Sequence, residues 1–511
     1  MSTMESSIHI APPTPDLPRR VDGTGAELKR GAFLNTIAML SSNFGAIFTL
    51  LIARLLGPVS LGIYSVAWAT TNLFSKFGVW GLDDAIITFI ARAQAVGDFA
   101  RSRALFRLAV VLAVAQSTCV AVISIIAIWR FGEHLHLKPE MVSAFTVTVC
   151  ALPGVALYRI STSVSRGMKV MKHDIYSRGI TEPAITILAF LIALIAGFKV
   201  FGPELAAIVG TAASGLVALT LALRLFRHGP EEVGAVSLRA EARGLLGYAF
   251  PIGADQLLNA FIWRLDVIML GWFVGRAPGV TLTTLGIYSA ASGLANALRR
   301  VSQPFSPIFA PIVAEMTATG KQERAAATYA RLMQWMLWVL LPLVAVMILA
   351  GDMILIAFGP AFRQGSIWLA IAAIACAVNA FINLSETAIM VQRPTLNLLN
   401  SSITCVAGSS ATLWLIWRFG VIGAAFGLLL TYMVQGVLRT GTLRFIFRWP
   451  NQWRNSLPPV IAAIIALVPA LFCRVLLDGI PGQLASAAAF LVIFGVGWLY
   501  HSRSSKDTAH L

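Results

Sequence analysis

The chain has 511 residues, of which 57% are hydrophobic and only 12% are charged, and its formal net charge at pH 7 is +16. Soluble domains carry about 25% charged residues, so this composition excludes a soluble enzyme and indicates a polytopic membrane protein. The basic residues are spread through the loops between apolar segments, the pattern of membrane topology, so the positive charge does not indicate nucleic-acid binding.

The first 30 residues are polar, contain prolines and end in Glu27-Leu28-Lys29-Arg30. They lack the apolar core of a cleavable signal and predict a disordered cytoplasmic tail. The rest of the chain contains apolar windows of about 20 residues, the length that crosses a bilayer as a helix. The sequence therefore predicts an all-α fold of about fourteen membrane-spanning helices. These segments are 31–53, 60–91, 108–129, 141–163, 179–198, 203–223, 246–274, 284–315, 332–350, 365–390, 396–417, 421–438, 457–473 and 483–500.

The loops between these segments differ in their positive charge. The N-terminal tail, every second loop and the C-terminal tail together hold 26 Lys and Arg residues, whereas the other loops hold 8. This bias places both termini in the cytoplasm. The predicted organisation is an N-lobe of six spans, a cytoplasmic loop, a C-lobe of six spans, two further spans and a cytoplasmic tail, with boundaries at 31–227, 228–245, 246–443, 444–500 and 501–511.

One pentapeptide occurs twice. Leu61-Gly62-Ile63-Tyr64-Ser65 recurs as Leu285-Gly286-Ile287-Tyr288-Ser289, 224 residues later. The repeat distance encloses six predicted spans, an even number, so both copies run in the same direction through the membrane. We therefore expect two pseudo-symmetric lobes related by an axis along the membrane normal, with a substrate site between them. The two segments that carry the motif are also unusually long, and we expect each to tilt or kink.

Five cations fall inside predicted spans: Lys76, Arg159, Arg264, Arg299 and Arg300. Lys76 and Arg300 lie at equivalent positions of the repeat, so we expect them to face one another across a central cavity. Charges at mid-membrane are costly and usually face an interior or a water-filled space. The alternative is that such cations extend to the interface or are neutralised by neighbouring carboxylates.

Three acids also fall within predicted spans, at Asp255, Asp266 and Glu386. Asp255 and Asp266 are eleven residues apart, close to three helical turns, with Asn259 on the same stripe. They are candidates for H+ or Na+ coupling, or alternatively counter-ions of the buried cations. All seven histidines lie in predicted tails or loops, and the five cysteines have no metal-ligand spacing. We therefore predict no cofactor and no metal site.

Several enzyme and pump classes lack support. No GxxxxGK[ST] phosphate loop is present, which argues against an ATP-driven pump with its motor on this chain. No long extramembrane segment could hold a catalytic domain, and the paired acids Asp83-Asp84 are the only support for a membrane-embedded transferase. A cavity with several buried cations instead favours an anionic substrate such as a diphosphate, which accepts strong charge-assisted hydrogen bonds from Arg and Lys.

The motif Ala53-Arg54-Leu55-Leu56-Gly57-Pro58, running into the first pentapeptide, resembles the signature of the polysaccharide-biosynthesis flippases. These form the Wzx-type branch of the multidrug/oligosaccharidyl-lipid/polysaccharide exporter superfamily. Arg264-Leu265-Asp266, followed by the second pentapeptide, resembles the second-half counterpart. The fourteen predicted spans in a 6+6+2 arrangement are similar to that family over the whole membrane portion.

The resemblance implies a flippase, not an enzyme, that moves undecaprenyl-diphosphate-linked oligosaccharide across the bacterial inner membrane by alternating access. Its product would feed O-antigen, capsule or exopolysaccharide synthesis, and its partners would be the bilayer, the glycan lipid and a polysaccharide polymerase or export machinery, with no nucleic acid. Three alternatives remain. A peptidoglycan-precursor flippase shares the substrate chemistry, a drug/cation antiporter should have an acidic cavity, and a membrane-embedded polymerase or ligase needs a sizeable periplasmic loop.

Overall fold

A computed structural model gives the fold for residues 44–132, 134, 138–198, 201–227, 238–303, 305–318, 322–449 and 453–507. All regular elements in these ranges are helical, as the sequence predicts. The predicted tail 1–30 and most of the first predicted span lie outside the described residues. The helices of the N-terminal half are α1 Phe44–Val79, α2 Leu82–Ala95, α3 Phe99–Phe131, α4 Pro139–Gly167, α5 Lys172–Ile195 and α6 Gly202–Leu225.

The C-terminal half begins with a helix that starts at residue 238, earlier than the predicted 246. Its helices are α7 Leu238–Trp272, α8 Leu282–Ala295, α9 Ser306–Ala318, α10 Gln322–Leu349, α11 Gly351–Ile356, α12 Ser366–Gln392, α13 Pro394–Phe419 and α14 Val421–Gly441. Two further helices, α15 Leu457–Leu476 and α16 Gly479–Asp507, form a C-terminal pair. The last helix runs past residue 500, where the sequence places a tail.

Ten helices in the described ranges are long and apolar enough to cross a membrane. One of them, α1, covers parts of two predicted spans. Gly57 lies between these parts, and its φ of 82° and ψ of −178° turn the chain sharply there. Glycine accepts this left-handed conformation without the steric penalty of a Cβ atom. The polytopic all-α architecture is thus confirmed, and the number fourteen stays a prediction.

Both long motif-bearing segments are interrupted. The segment 60–91 breaks at Trp80 and Gly81, which have φ values of 42° and 75°. The segment 284–315 breaks at a 3₁₀ turn, Leu298–Ser302, between α8 and α9. The first break follows its motif by about four helical turns, and the second follows its motif by about two and a half. In the second copy, the break places Arg299 and Arg300 in a short turn instead of a continuous helix.

The two halves share one hydrophobic core. Phe48 and Tyr64 from the N-terminal half belong to the same buried cluster as Ile287 and Ala291 from the C-terminal half. Helices α1 and α8 pack against each other where the two pentapeptides lie. We call this side of the bundle the LGIYS side. Helix α1 from Gly57 to Val79 is about 33 Å long, so Trp80 and Gly81 lie on the opposite side of the bilayer-sized bundle.

A contact between glycines joins the halves on that opposite side. A Cβ atom added to Gly81 would lie 2.5 Å from the Ala249 carbonyl oxygen and 2.6 Å from the Gly253 nitrogen. One added to Gly253 would lie 2.8 Å from the Trp80 carbonyl carbon. Helices α1, α2 and α7 therefore approach each other closely at the point where α1 ends.

The C-terminal pair packs on α10. Trp338 and Leu349 of α10 share a buried cluster with Ala466 of α15 and Phe490 of α16. The His501 ring near the end of α16 also hydrogen bonds the Gln334 amide at 2.9 Å. The pair is therefore attached to the C-terminal half.

Candidate functional site

Six basic side chains form a group between the two halves, which we call the central cation cluster. Lys76, Arg159 and Arg178 come from α1, α4 and α5 of the N-terminal half, whereas Arg264 comes from α7 and Arg299 and Arg300 come from the 3₁₀ turn. Five of the six were predicted from the sequence.

Lys76 makes a contact across the halves. Its Nζ donates to Gln256 Oε1 of α7 at 3.0 Å, and Gln256 Nε2 donates to Asp84 Oδ2 at 2.6 Å and Asp83 Oδ1 at 3.3 Å. One glutamine amide thus links a lysine to both acids of the Asp83-Asp84 pair. Lys76 belongs to a hydrogen-bonded network that joins α1, α2 and α7.

Arg159 is paired within the N-terminal half. Its Nη1 lies 3.3 Å from Asp83 Oδ2, and both side chains are largely buried. Arg159 is a possible partner of Asp255 or Asp266 by sequence, and the structure pairs it with Asp83. Asp83 therefore receives bonds from an arginine and a glutamine, which fixes its carboxylate as a structural counter-ion.

Arg178 is the functional candidate that the sequence analysis missed. The predicted topology places Arg178 in the cytoplasmic loop 164–178, whereas in the structure it lies in the π-helical turn Ile175–Thr181 of α5. Its guanidinium carbon stands 5.8 Å from the centre of the Tyr158 ring. It is exposed, yet it lies within electrostatic range of both Lys76 and Arg300. The one signal in the sequence is Glu182, four residues later, an acid at helical spacing.

Arg264 and Arg300 are both exposed and lie within electrostatic range of each other. Arg300 is also in range of Arg178 on the opposite half. Exposed basic side chains from the two halves therefore lie near one another here. Lys76 and Arg300, predicted to face one another, thus have Arg178 as a common neighbour.

Arg299 is held in place instead of being left open. Its Nη1 donates to Asn296 Oδ1 at 2.9 Å and to the Tyr432 hydroxyl at 3.1 Å. The guanidinium also stacks over Trp263, 4.4 Å from the ring centre. Arg299 therefore adds positive charge to the cluster from a fixed position, and of the two adjacent arginines it is Arg300 that is exposed.

The cluster is unevenly neutralised. The basic groups of the N-terminal half have Asp83, Asp84 and Glu182 within electrostatic range. Asp266 is the carboxylate in range of Arg264. It is 1% exposed, and its Oδ2 accepts hydrogen bonds from the Tyr288 hydroxyl at 2.8 Å and the Ser292 hydroxyl at 2.7 Å. Three carboxylates therefore lie beside the basic groups of the N-terminal half, and Asp266 lies beside Arg264.

The two acids on one predicted stripe of α7 have different surroundings. Asp266 binds the second pentapeptide through Tyr288, as described above. Asp255 accepts hydrogen bonds from Asn259 at 3.2 Å and from Asn397 at 3.3 Å. Asp266 is thus part of the packing between α7 and α8, whereas Asp255 belongs to a separate polar group, which also includes Glu386.

Glu386 is paired with an arginine that the sequence analysis placed in a loop. Arg439 is 1% exposed within α14, and its Nη2 lies 2.9 Å from Glu386 Oε2. Asn259 Nδ2 approaches Glu386 Oε1 at 3.5 Å, which joins this pair to Asp255. Within the part of the chain that the structure describes, the buried Oδ1 atoms of Asn259 and Asn397 have no hydrogen-bond partner. The Asp255 and Glu386 carboxylates, bridged by Asn259, can take up a proton, and oxygen atoms are also the ligands that hard cations prefer.

No group of three or more His, Cys, Asp and Glu in the described part of the chain could hold a metal ion. A Na+ site at Asp255 would thus depend on amide as well as carboxylate oxygens. The described cysteines are all free thiols.

A sequence model of the family described as "Polysaccharide biosynthesis protein" matches residues 28–317. The match spans both pentapeptides, the Arg54 motif and all six residues of the central cation cluster. No curated protein sequence matches the chain significantly.

Solved membrane transporters share the fold. The lipid II flippase MurJ in an inward closed conformation is 11% identical, with a TM-score of 0.65 over 93% of this chain and 99% of that one. An inward-facing multidrug resistance MATE family transporter of the MOP superfamily is 13% identical, with a TM-score of 0.62 over 80% and 95%. The eukaryotic MATE transporter AtDTX14 is 13% identical, with a TM-score of 0.58 over 86% and 99%. These proteins are transporters and a flippase, not enzymes.

Proposed function

The chain belongs to the polysaccharide biosynthesis protein family, and from this premise we propose that it is a flippase for an oligosaccharide linked to a lipid diphosphate, with undecaprenyl as the lipid. It would move this substrate from the cytoplasmic to the periplasmic leaflet of the bacterial inner membrane. The glycan would then serve O-antigen, capsule or exopolysaccharide synthesis through a polymerase or export machinery.

The observation that carries the proposal is the open group of Arg178, Arg264 and Arg300. These three exposed guanidiniums come from both halves, and Arg300 lies within electrostatic range of both Arg178 and Arg264. A diphosphate is a compact, multiply charged group that accepts bidentate hydrogen bonds from arginine. Lys76, Arg159 and Arg299 border this binding position and contribute charge to it.

The contacts between the halves support alternating access. Gly62 and Gly286 close the LGIYS side, and the basic loops lie on the opposite side, which the charge bias assigns to the cytoplasm. The described conformation would therefore present its diphosphate position away from the periplasm. Transport to the other leaflet requires the glycine contact on the LGIYS side to open.

Asp255 is the proposed coupling site for H+ or Na+. Its carboxylate lies with Glu386 and two amide oxygens that have no hydrogen-bond partner. Asp266 is a weaker candidate because two hydroxyl groups already satisfy its Oδ2 atom. A cation bound at Asp255 would bias the position of α7, which carries both Gln256 and Arg264.

The test is a flipping assay on purified full-length chain in liposomes with a short saccharide on polyprenyl diphosphate. Each charge-assisted contact is worth about 1.5–3 kcal/mol, so Arg178→Ala and Arg300→Ala should each lower substrate affinity at least about tenfold. Arg92→Ala, which removes an exposed arginine from the end of α2, is the matched control. Equal flipping by wild type and the Arg178→Ala/Arg300→Ala double variant would refute the binding position.

The same assay separates the alternatives. A lipid-linked muropeptide flipped in preference to the saccharide lipid would identify a cell-wall precursor flippase. Export of an organic cation, with no flipping of either lipid, would identify an antiporter. The concentration of arginines in the central cation cluster disfavours the antiporter, because a cation would be repelled there.

A further inference from the structure

A second basic pocket lies away from the space between the halves. It has a volume of about 530 Å³ and is formed by the start of α3 and the end of α6. Phe106 and Phe226 form a buried stacked pair in its wall, with ring centres 5.3 Å apart. Its lining includes four arginines: Arg103, Arg107, Arg224 and Arg227.

The pocket carries concentrated positive charge. Among the described residues, no carboxylate lines the pocket, and none of its four arginines takes part in an ion pair. By contrast, Arg101 on the same helix pairs with Glu241 at 2.8 Å. Arg103 donates to the Phe226 carbonyl oxygen at 2.6 Å, which holds α3 and α6 together and fixes one wall. Four arginines around one cavity favour an anionic ligand with several oxygen acceptors.

The position of the pocket indicates a lipid. Helix α3 is about 50 Å long and exceeds the roughly 30 Å of bilayer hydrocarbon, so its first turns, with Arg103 and Arg107, lie at the interface. Below Arg107 on the same face, Val111 is 65% exposed. On α6, Leu223 lines the pocket and continues a stripe of exposed residues through Leu216 at helical spacing. A phosphate head on the arginines would thus have apolar helix surface beside its acyl chains.

We propose that this pocket binds the head group of an anionic phospholipid. Basic pockets between helix ends on the basic side of membrane proteins bind head groups of this kind. A lipid with two phosphates, such as cardiolipin, matches four arginines better than a lipid with one phosphate. The site is independent of the central cation cluster, so its occupancy does not require the proposed transport function.

The test measures lipid retention by native mass spectrometry on the purified full-length chain in detergent. Cardiolipin should bind the wild type more tightly than phosphatidylethanolamine does, and Arg107→Gln/Arg224→Gln should weaken cardiolipin binding about 30-fold. Arg92→Gln/Arg243→Gln is the matched control, because it removes two exposed arginines outside the pocket. Equal cardiolipin affinity in the pocket variant and the wild type would overturn the proposal.

Further measurements in the same assay distinguish an anionic phospholipid from other anionic groups that could occupy the pocket. Inorganic phosphate that displaces cardiolipin at millimolar concentration would indicate a free-anion site and overturn the lipid assignment. Polyprenyl diphosphate that binds the pocket in preference to cardiolipin would make it a substrate site and equally overturn it. Glu231 and Glu232 follow Arg227 closely in the sequence. Cardiolipin affinity unchanged by Glu231→Gln/Glu232→Gln supports the proposal, and affinity raised about tenfold or more would show that the chain itself neutralises the pocket.

Discussion

Gly62 and Gly286, equivalent residues of the two pentapeptides, pack backbone against backbone on the LGIYS side. A Cβ atom on Gly62 would lie 2.8 Å from the Gly286 nitrogen, and one on Gly286 would collide with the Pro58 carbonyl. The repeated motif is therefore the contact where α1 and α8 meet. Its glycines permit the closest approach of the two halves.

Gly286→Ala should weaken this contact. Overpacking at a tight backbone contact costs about 1–3 kcal/mol, which we expect as a lower midpoint of thermal unfolding in detergent and a loss of surface polysaccharide. Gly293→Ala on the same helix is the control, because no atom lies within 4 Å of its added Cβ. That variant should be as stable as wild type or slightly more so, since Ala favours helix. Equal unfolding midpoints and equal surface polysaccharide in the two variants would show that the Gly286 contact does not stabilise the protein.

Arg54 is expected to hold the LGIYS side closed. Its Nε donates to the Ala357 carbonyl at 2.6 Å and its Nη2 to the Ile356 carbonyl at 3.3 Å, at the end of α11 in the other half. Arg54→Ala should lower the free energy of unfolding by about 1.5–3 kcal/mol, the contribution of hydrogen bonds to a charged group. It should also reduce the amount of surface polysaccharide. Arg54→Lys should restore only part, because an ammonium group lacks the planar fork of guanidinium. Full restoration by lysine would show that charge alone matters.

Asp83 and Arg159 should behave as a coupled buried pair. Removal of either partner from a buried ion pair costs about 3–5 kcal/mol, because the other charge is left uncompensated. Asp83→Asn and Arg159→Gln should each destabilise the protein, and the double variant should be more stable than the sum of the single effects predicts. Additive effects in a double-mutant cycle of unfolding free energies would mean that the two residues act independently.

Variants at Asp266 and Asp255 should have different effects, on stability for Asp266 and on ion coupling for Asp255. Tyr288→Phe and Ser292→Ala each leave Asp266 with one bond fewer, and we expect each to cost about 1–3 kcal/mol of stability without altering ion dependence. Asp255→Asn should instead make flipping insensitive to the Na+ gradient or to the pH gradient across liposomes, with unfolding little changed. A variant at Asp255 that keeps the full dependence on both gradients would exclude it as the coupling site.

The sequence predicts the features that depend on composition and on the repeated pentapeptide. Apolar length predicted the helices, and a fixed offset of 224 residues identified Gly62 and Gly286 as equivalent. Five of the six cations in the central cluster were found because they interrupt apolar windows. Arg178 and Arg439 were missed because each lies at the edge of an apolar window, where a helix end and a loop have the same composition.

The sequence by itself determined that the protein is an all-α membrane protein with a repeated motif and buried positive charge, because hydrophobic length and charge along a chain are local properties. Only the tertiary structure decided which charges are neutralised. Asp83 pairs with Arg159, Glu386 with Arg439, and Asp266 with two hydroxyl groups, and these partners lie 22 to 76 residues away in the sequence. Such pairings follow from how helices pack, which no local pattern specifies.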